Sequence, residues 1–289
     1  MLSAIYKAIQ PTAKGSASRL VVRRQARPGW VAIDFAELWR YRELVVFYAV
    51  RDIKVRYKQT LLGVAWAVLQ PALTMAVFSI FFGRLAGVPS DGIPYPIFAY
   101  CGLVPWQLFA YALTQSSTRV VEDAQVITKV YFPRLIVPLA SVIAGLVDFA
   151  IAFAALVAMM LYYGIQPGWT ILALPLFTFL ALMTALAVGL WLSALNVRYR
   201  DVRYTIPFLA QFWLFITPVA YSSSLVPPKW QALYGINPMV GVVNGFRWAL
   251  LGKTSPDPML FVSATATAVL LIGGLFYFRR MEKSFADII

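Results

Sequence analysis

Apolar stretches long enough to cross a lipid bilayer recur along the whole chain, and no other feature restricts its fold as strongly. A helix needs about 20 residues to traverse roughly 30 Å of hydrocarbon. Six stretches qualify, near 61–83, 96–117, 136–163, 171–195, 205–221 and 259–278, of which the fifth is short and continues irregularly. The composition agrees: 61% of the 289 residues are hydrophobic and 13% charged, against about a quarter charged in soluble domains. The expected fold is an all-α integral membrane protein with six transmembrane helices, the spanning region covering 61–278.

Charge then orients the chain. The net charge of +13 points to nucleic acid only until the cations are placed. Twelve Lys and Arg fall in residues 1–60, three in 119–134, three in 196–204 and three from 279 onward, so 21 of 25 share one side of a six-span chain. Arg84, Lys229, Arg247 and Lys253 make up the other side. Cationic loops stay in the cytoplasm, which puts both termini of a multi-pass chain there, including the 279–289 tail. Residues 1–33 read as a basic cytoplasmic arm. The three-residue run Leu20–Val22 between Lys14 and Arg27 is too short for the core of a cleavable signal.

Residues 34–60 begin DFAELWRYRELVVFYAVRDIKVRYK. Apolar positions such as Phe35, Leu38, Trp39, Val45 and Tyr48 alternate with charges at helical spacing, as suits an amphipathic helix in the membrane interface. Arg51, Lys54, Arg56 and Lys58 crowd its end just before the first span, at lipid headgroup depth. Pro71 in span one and Pro105 in span two permit kinks.

Two connections are not ordinary loops. RVVEDAQVITKVYFPR, residues 119–134, has Glu122 and Asp123 near its start and Lys129 towards its end, the polarity a short helix favours, and Pro133 stops it. A charged helix of about ten residues protruding on the cytoplasmic side is placed for a partner to grip. Residues 225–251, on the opposite side, contain two apolar helical segments, near 228–235 and 238–251, parted by Asn237-Pro238. Neither is long enough to span, so they read as a re-entrant hairpin packed on protein.

Several chemistries are excluded. With no His and a single cysteine, Cys101, neither a disulfide framework nor a usual zinc site can be built. No nucleophile–base set can be assembled either, so the chain is not an enzyme. Gly252-Lys253-Thr254 is the tail of a phosphate-binding loop, but the glycine required five positions earlier is Arg247. Any ATP-driven work therefore needs a second polypeptide. Asp148 is the only acid well inside a span. It shows no evident cationic partner in another span, and a hydrogen bond between helices is its expected role.

The chain has 20 Phe, 15 Tyr and 9 Trp. Many serve interfacial belts, yet Tyr100, Trp106, Phe109, Tyr111, Phe212, Trp213 and Phe215 cluster within spans two and five. Sugar rings stack their C–H faces on aromatic faces, so an aromatic conduit lined by these residues, with Trp66 at its start, suits a polysaccharide.

These residues carry a resemblance. RDIKVRYKQTLLGVAWAVLQP at 51–71, VITKVYFPRLIVPL at 126–139, NVRYRDVRY at 196–204 followed by Pro207, and INPMVGVVNGFRWALLG at 236–252 occur in family order. Over about residues 36–289 the chain resembles the permease subunits of polysaccharide-exporting ABC transporters, which export O-antigen, capsule or teichoic acid. The resemblance implies a homodimer enclosing the conduit and two copies of a separate ATPase that hold the ATP and Mg. It implies a coupling helix at 119–134, where Glu122, Asp123, Ile127, Lys129, Tyr131, Phe132 and Arg134 would meet that ATPase. It also implies a cargo on undecaprenyl pyrophosphate, O-antigen being expected, whose pyrophosphate Arg51, Lys54, Arg56 and Lys58 would serve. The family often has an acid where this chain has Asn244. A secondary transporter or channel is the rival class, but it would normally show several intramembrane charges or inverted repeats. A membrane-bound transferase would need acids or His at a membrane face.

Overall fold

The structure, a computed structural model, describes residues 35–58, 63–252 and 259–288. The basic arm expected over 1–33 lies outside the described residues, as do the start of the first expected span and Lys253-Thr254. Helices dominate and no strand occurs among the described residues. They are α1 (Phe35–Arg40), α2 (Arg42–Tyr57), α3 (Ala65–Phe78, continued as π-helix over Ser79–Leu85), α4 (Tyr95–Glu122), α5 (Ala124–Lys129) and α6 (Ile136–Tyr162). After a 3-10 turn at Trp169–Ala173 come α7 (Leu174–Arg198), α8 (Val202–Ile216), α9 (Pro228–Tyr234), α10 (Pro238–Leu251) and α11 (Met259–Ile288).

Among the described residues five segments are long and apolar enough to cross a membrane: Ala65–Leu85, Tyr95–Glu122, Ile136–Tyr162, Trp169–Arg198 and Met259–Phe285. The stretch expected over 205–221 is shorter. α8 has 15 residues, about 22 Å at 1.5 Å per residue. It stops at Ile216 because Thr217 precedes Pro218, and a residue before proline is forced out of the helical region; Thr217 is extended, at ψ 141°. The helices continue through Pro71, Pro105 and Pro207.

α4 is the central element, packed between α6 and α7. α7 in turn packs on α11, and α10 wedges among α4, α7 and α11. Without a hydrophobic driving force in lipid, such contacts rely on close approach and interhelical hydrogen bonds. Gly189 on α7 gives the approach: a Cβ there would lie 2.0 Å from Ser116 Oγ of α4. Asn196 Nδ2 donates to the Ser117 carbonyl at 3.1 Å, the Thr184 and Thr267 hydroxyls meet at 3.0 Å, and Trp191 Nε1 donates to the Leu270 carbonyl at 3.1 Å. α3 and α8 pack on the flank of α4 and keep long apolar faces open.

Hydrogen bonds also sort the connections into two ends. Residues 51, 119, 123, 134 and 282 are linked at one end. At the other, Asp91 accepts from the Ser222 and Ser224 hydroxyls, Thr170 donates to the Ala249 carbonyl, and Arg247 reaches Phe98.

The segment expected as one amphipathic helix over 34–60 is divided at Tyr41 into α1 and α2. One face of α2, with Val45, Tyr48, Ala49 and Asp52, is buried, and the helix packs along α6. Another face leaves Val46, Phe47 and Val50 exposed. The two short helical segments expected near 228–235 and 238–251 are α9 and α10. Asn237 fixes their elbow. Its Oδ1 accepts from the Met239 amide at 3.1 Å and from Trp213 Nε1 at 2.8 Å, while its Nδ2 donates to Thr217 Oγ1 at 3.1 Å.

Candidate functional site

An ionic cluster ties α2 to the turn after α4. Arg51 grips Asp123 with two nitrogens, Nη1 to Oδ1 at 3.0 Å and Nη2 to Oδ2 at 2.7 Å. It also reaches Asp52 at 2.9 Å, and Asp52, only 3% exposed, has Arg119 at 3.6 Å on its other side. A buried carboxylate is tolerable only when paired in this way. Burial disfavours the Arg51 cation, but the hydrogen bonds to Asp123 and Asp52 outweigh it and hold its pKa above the ordinary guanidinium value. Asp52 was not among the expected site residues. Its only sequence signal was being the one acid among the four cations of 51–58.

The protruding helix is smaller than its sequence indicated. α4 runs on to Glu122, so Glu122 ends that helix instead of beginning the next, and pairs with Arg119 at 3.1 Å. The helix-start role expected for Glu122 is therefore corrected. Asp123 sits at the N-cap of α5 but makes no side-chain cap, because Arg51 holds its carboxylate. α5 itself has six residues. Ile127 and Phe132 are buried, Phe132 against Tyr48 with ring centres 5.7 Å apart. The Arg134 amide donates to Glu282 at 3.0 Å and its guanidinium to the Glu282 carbonyl. The exposed surface of this turn includes Gln125, Val126, Thr128, Lys129, Val130 and Tyr131, the last 67% exposed.

Arg56 lies 2.7 Å from Asp148, and Tyr57 donates to the same carboxylate. The Arg56 guanidinium also covers the Tyr111 ring at 4.3 Å. Asp148 thus has the cationic partner the sequence did not reveal, supplied by α2 and not by another span. Twelve residues into α6, it lies about 18 Å from that helix's start. Of the four expected pyrophosphate cations, Arg51 and Arg56 are engaged within the protein. Lys54 and Lys58 are exposed and form no ion pair among the described residues.

The expected conduit residues separate into four groups. Tyr100 and Phe109 are fully buried, and their rings offer no face to a sugar, because α4 is surrounded at those positions. Trp213 is partly buried, edge-on to Phe109 at 5.1 Å, with its N–H bound to Asn237. Trp106 and Tyr111 line a cavity of about 350 Å³ between α3, α4, α6 and α8. Trp66 and Phe212 stand on the open faces of α3 and α8, 50% and 55% exposed. Phe212 continues an exposed row on α8 with Tyr204, Phe208 and Phe215, and the Phe208 and Phe212 rings are parallel within 17°.

Arg247 is the residue the sequence reading placed furthest from its environment. Taken as a cation of the outer connection, it is 4% exposed. Its nitrogens donate to the carbonyls of Pro218 (2.6 Å), Val219 (2.7 Å), Tyr221 (3.3 Å) and Phe98 (3.4 Å), and its guanidinium lies 3.6 Å from the centre of the Phe98 ring. These carbonyls belong to the chain just past α8 and to the first turn of α4, so one side chain joins three elements. Gly102 admits it: a Cβ there would lie 3.1 Å from Arg247 Nη2. Gly252, the first residue of the Gly-Lys-Thr triplet, closes α10 in the left-handed conformation at φ 68°. No group of three His, Cys, Asp or Glu converges to hold a metal among the described residues.

Five membrane-length segments among the described residues, α4 central among them, with polar groups matched between helices, define a multi-pass membrane protein. Residues 43–251 match the family model described as ABC-2 type transporter, and the chain belongs to that family of transporter membrane subunits. It is 29% identical over 252 residues to the O-antigen export system permease protein RfbA of Myxococcus xanthus, covering 85% of this chain and 96% of that one. A Klebsiella pneumoniae RfbA permease is 28% identical over 248 residues, covering 86% and 95%. The polysialic acid transport protein KpsM of Escherichia coli is 25% identical over 241 residues, covering 81% and 92%.

Proposed function

We propose that the chain is the transmembrane subunit of an ATP-driven exporter that moves polysaccharide linked to undecaprenyl pyrophosphate, of the O-antigen class, across the bacterial cytoplasmic membrane. The observation that carries this reading is similarity to O-antigen export permeases over 85% of the chain, joined to an exposed aromatic row on α8. Two copies would face each other across the open sides of α3 and α8, enclosing a conduit where Trp66 and Phe212 meet the glycan. The exposed row supports this, because a contiguous apolar surface of such size calls for a partner or lipid.

Six crossings per copy follow if α8, though short, carries the chain from the end shared by residues 51, 134 and 282 to the end shared by 91 and 98. Both termini are then cytoplasmic. α9 and α10 form the re-entrant hairpin on the outer side, and α2 rests at the cytoplasmic interface. ATP and Mg belong to a separate ATPase, two copies of which dock on the turn at 123–131 through Val126, Lys129, Val130 and Tyr131. Arg51 and Asp123 pass its movement to α2. Lys54 and Lys58 are the cations left for the lipid pyrophosphate, at about 1 kcal/mol each near a membrane surface.

The test is reconstitution of the chain with its partner ATPase in sealed vesicles. ATP-dependent export of a lipid-linked O-polysaccharide supports the reading. ATPase turnover that ignores this chain, with no transfer of glycan, would refute it.

A further inference from the structure

The cavity between α3, α4, α6 and α8 has a composition that neither lipid nor helix packing requires. Gln107 and Gln115 stand on α4 one turn either side of Tyr111, and Gln70 stands opposite on α3; all line the same cavity of about 350 Å³. The neighbouring threonines are satisfied by their own helices, Thr74 donating to the Gln70 carbonyl at 3.0 Å and Thr114 to the Ala110 carbonyl at 2.8 Å. The three side-chain amides make no hydrogen bond among the described residues. Gln107 and Gln115 are half-buried and Gln70 is exposed; free amides in an otherwise apolar lining are costly, and three that share one cavity mark it as wet or as occupied by something polar.

The chemistry of the lining narrows the occupant. A primary amide offers two donors and an acceptor, and a sugar hydroxyl offers one donor and two lone pairs, so the groups pair in either direction without charge. Tyr111, half-buried with Arg56 over its ring, adds an aromatic ring that the C–H face of a sugar can meet, and Trp106, 4% exposed, backs the lining. Asp148 is the one charged side chain lining the cavity among the described residues, and Arg56 neutralises it at 2.7 Å. An anionic ligand would need cations aimed at it, and the lining supplies none.

We propose that this cavity is a subsite for one uncharged sugar unit of the passing glycan, selecting neutral hexoses over uronate-bearing or sialic-acid-bearing units. The proposal rests on the exporter reading and adds to it the chemical class of the sugar. Each amide acts by direct hydrogen bonding, so its loss costs about threefold to tenfold in sugar affinity.

The experiment uses the complex of this chain with its ATPase in nanodiscs. Maltotriose is the neutral probe and a tri-glucuronate the anionic one, both followed by saturation-transfer NMR, and ATP-driven export of a lipid-linked neutral polymer is measured in vesicles. Gln107→Leu and Gln115→Leu should each weaken maltotriose binding by about threefold to tenfold and slow export, with melting unchanged or raised. Gln70→Leu, on loosely packed α3, repeats the test if an α4 variant folds poorly. The tri-glucuronate should give no signal. Equal binding of the two probes, or wild-type binding and export in all three variants, overturns the subsite while leaving the exporter reading intact. A wild-type complex that exports no lipid-linked glycan overturns both.

Discussion

Replacing Arg51 by Gln and Asp123 by Asn, singly and together, tests whether α2 and the turn that follows α4 move as one body. The pair is bidentate, at 3.0 and 2.7 Å, with side chains 28% and 13% exposed. An exposed ion pair contributes about 0–1 kcal/mol, whereas hydrogen bonds between charged groups in partly buried sites reach about 1.5–3 kcal/mol. Because more than a quarter of Arg51 meets solvent, the lower end applies, a coupling of about 1.5–2 kcal/mol. At about 2–4 °C per kcal/mol, each single variant should melt roughly 3–8 °C lower in detergent. The double variant should melt no lower than Arg51→Gln, which already removes the contact with Asp123 together with that to Asp52. ATP turnover per exported glycan should rise in all three as the linkage slackens. Additive melting losses, or losses in melting with coupling untouched, would refute the linkage.

The buried and open aromatics separate in a second comparison: Phe109→Ala should destabilise by about 3–5 kcal/mol, while Phe212→Ala should leave melting within a few degrees and slow export. Removing the carbonyl-caged cation by Arg247→Met leaves four carbonyls without their donor at once, and a melting loss larger than that of Arg51→Gln is expected. Neutralising Lys54 and Lys58 together should raise the concentration of lipid-linked substrate needed for half-maximal export roughly tenfold or more, at about 1 kcal/mol per cation. Arg56→Gln should act first on melting, through Asp148.

The helices were legible in the sequence wherever a long apolar run determined them, and the elbow at Asn237-Pro238 announced itself through proline and a capping side chain. Two boundaries were not. Nothing in Val120–Gln125 marks the break at Asp123, which is made by Arg51 from 72 residues away. The end of α8 was written in Thr217-Pro218, but the apolar run through Tyr221 hid it. Site residues fared by the same logic. That Lys54 and Lys58 are exposed while Arg51 and Arg56 are not available depends on acids at 52, 123 and 148, and no local pattern predicts which cation each acid selects. Arg247 is the extreme case, because its partners are backbone carbonyls, which every residue carries and no sequence distinguishes. The aromatics of α4 could not be sorted by type at all: Tyr100 and Tyr111 lie three turns apart on one helix, the first fully buried and the second lining a cavity.

Labelling the open face of α8 tests the account most directly. Cys101 is the only cysteine and is buried, so Cys101→Ser gives a silent background for Phe212→Cys and, as a control on the exposed end of α6, Tyr162→Cys. Export of lipid-linked glycan is measured in vesicles before and after reaction with a bulky maleimide. If two copies enclose a conduit along α8, modification at position 212 abolishes export and equal modification at 162 leaves it unchanged. Full export with position 212 completely labelled would contradict that path.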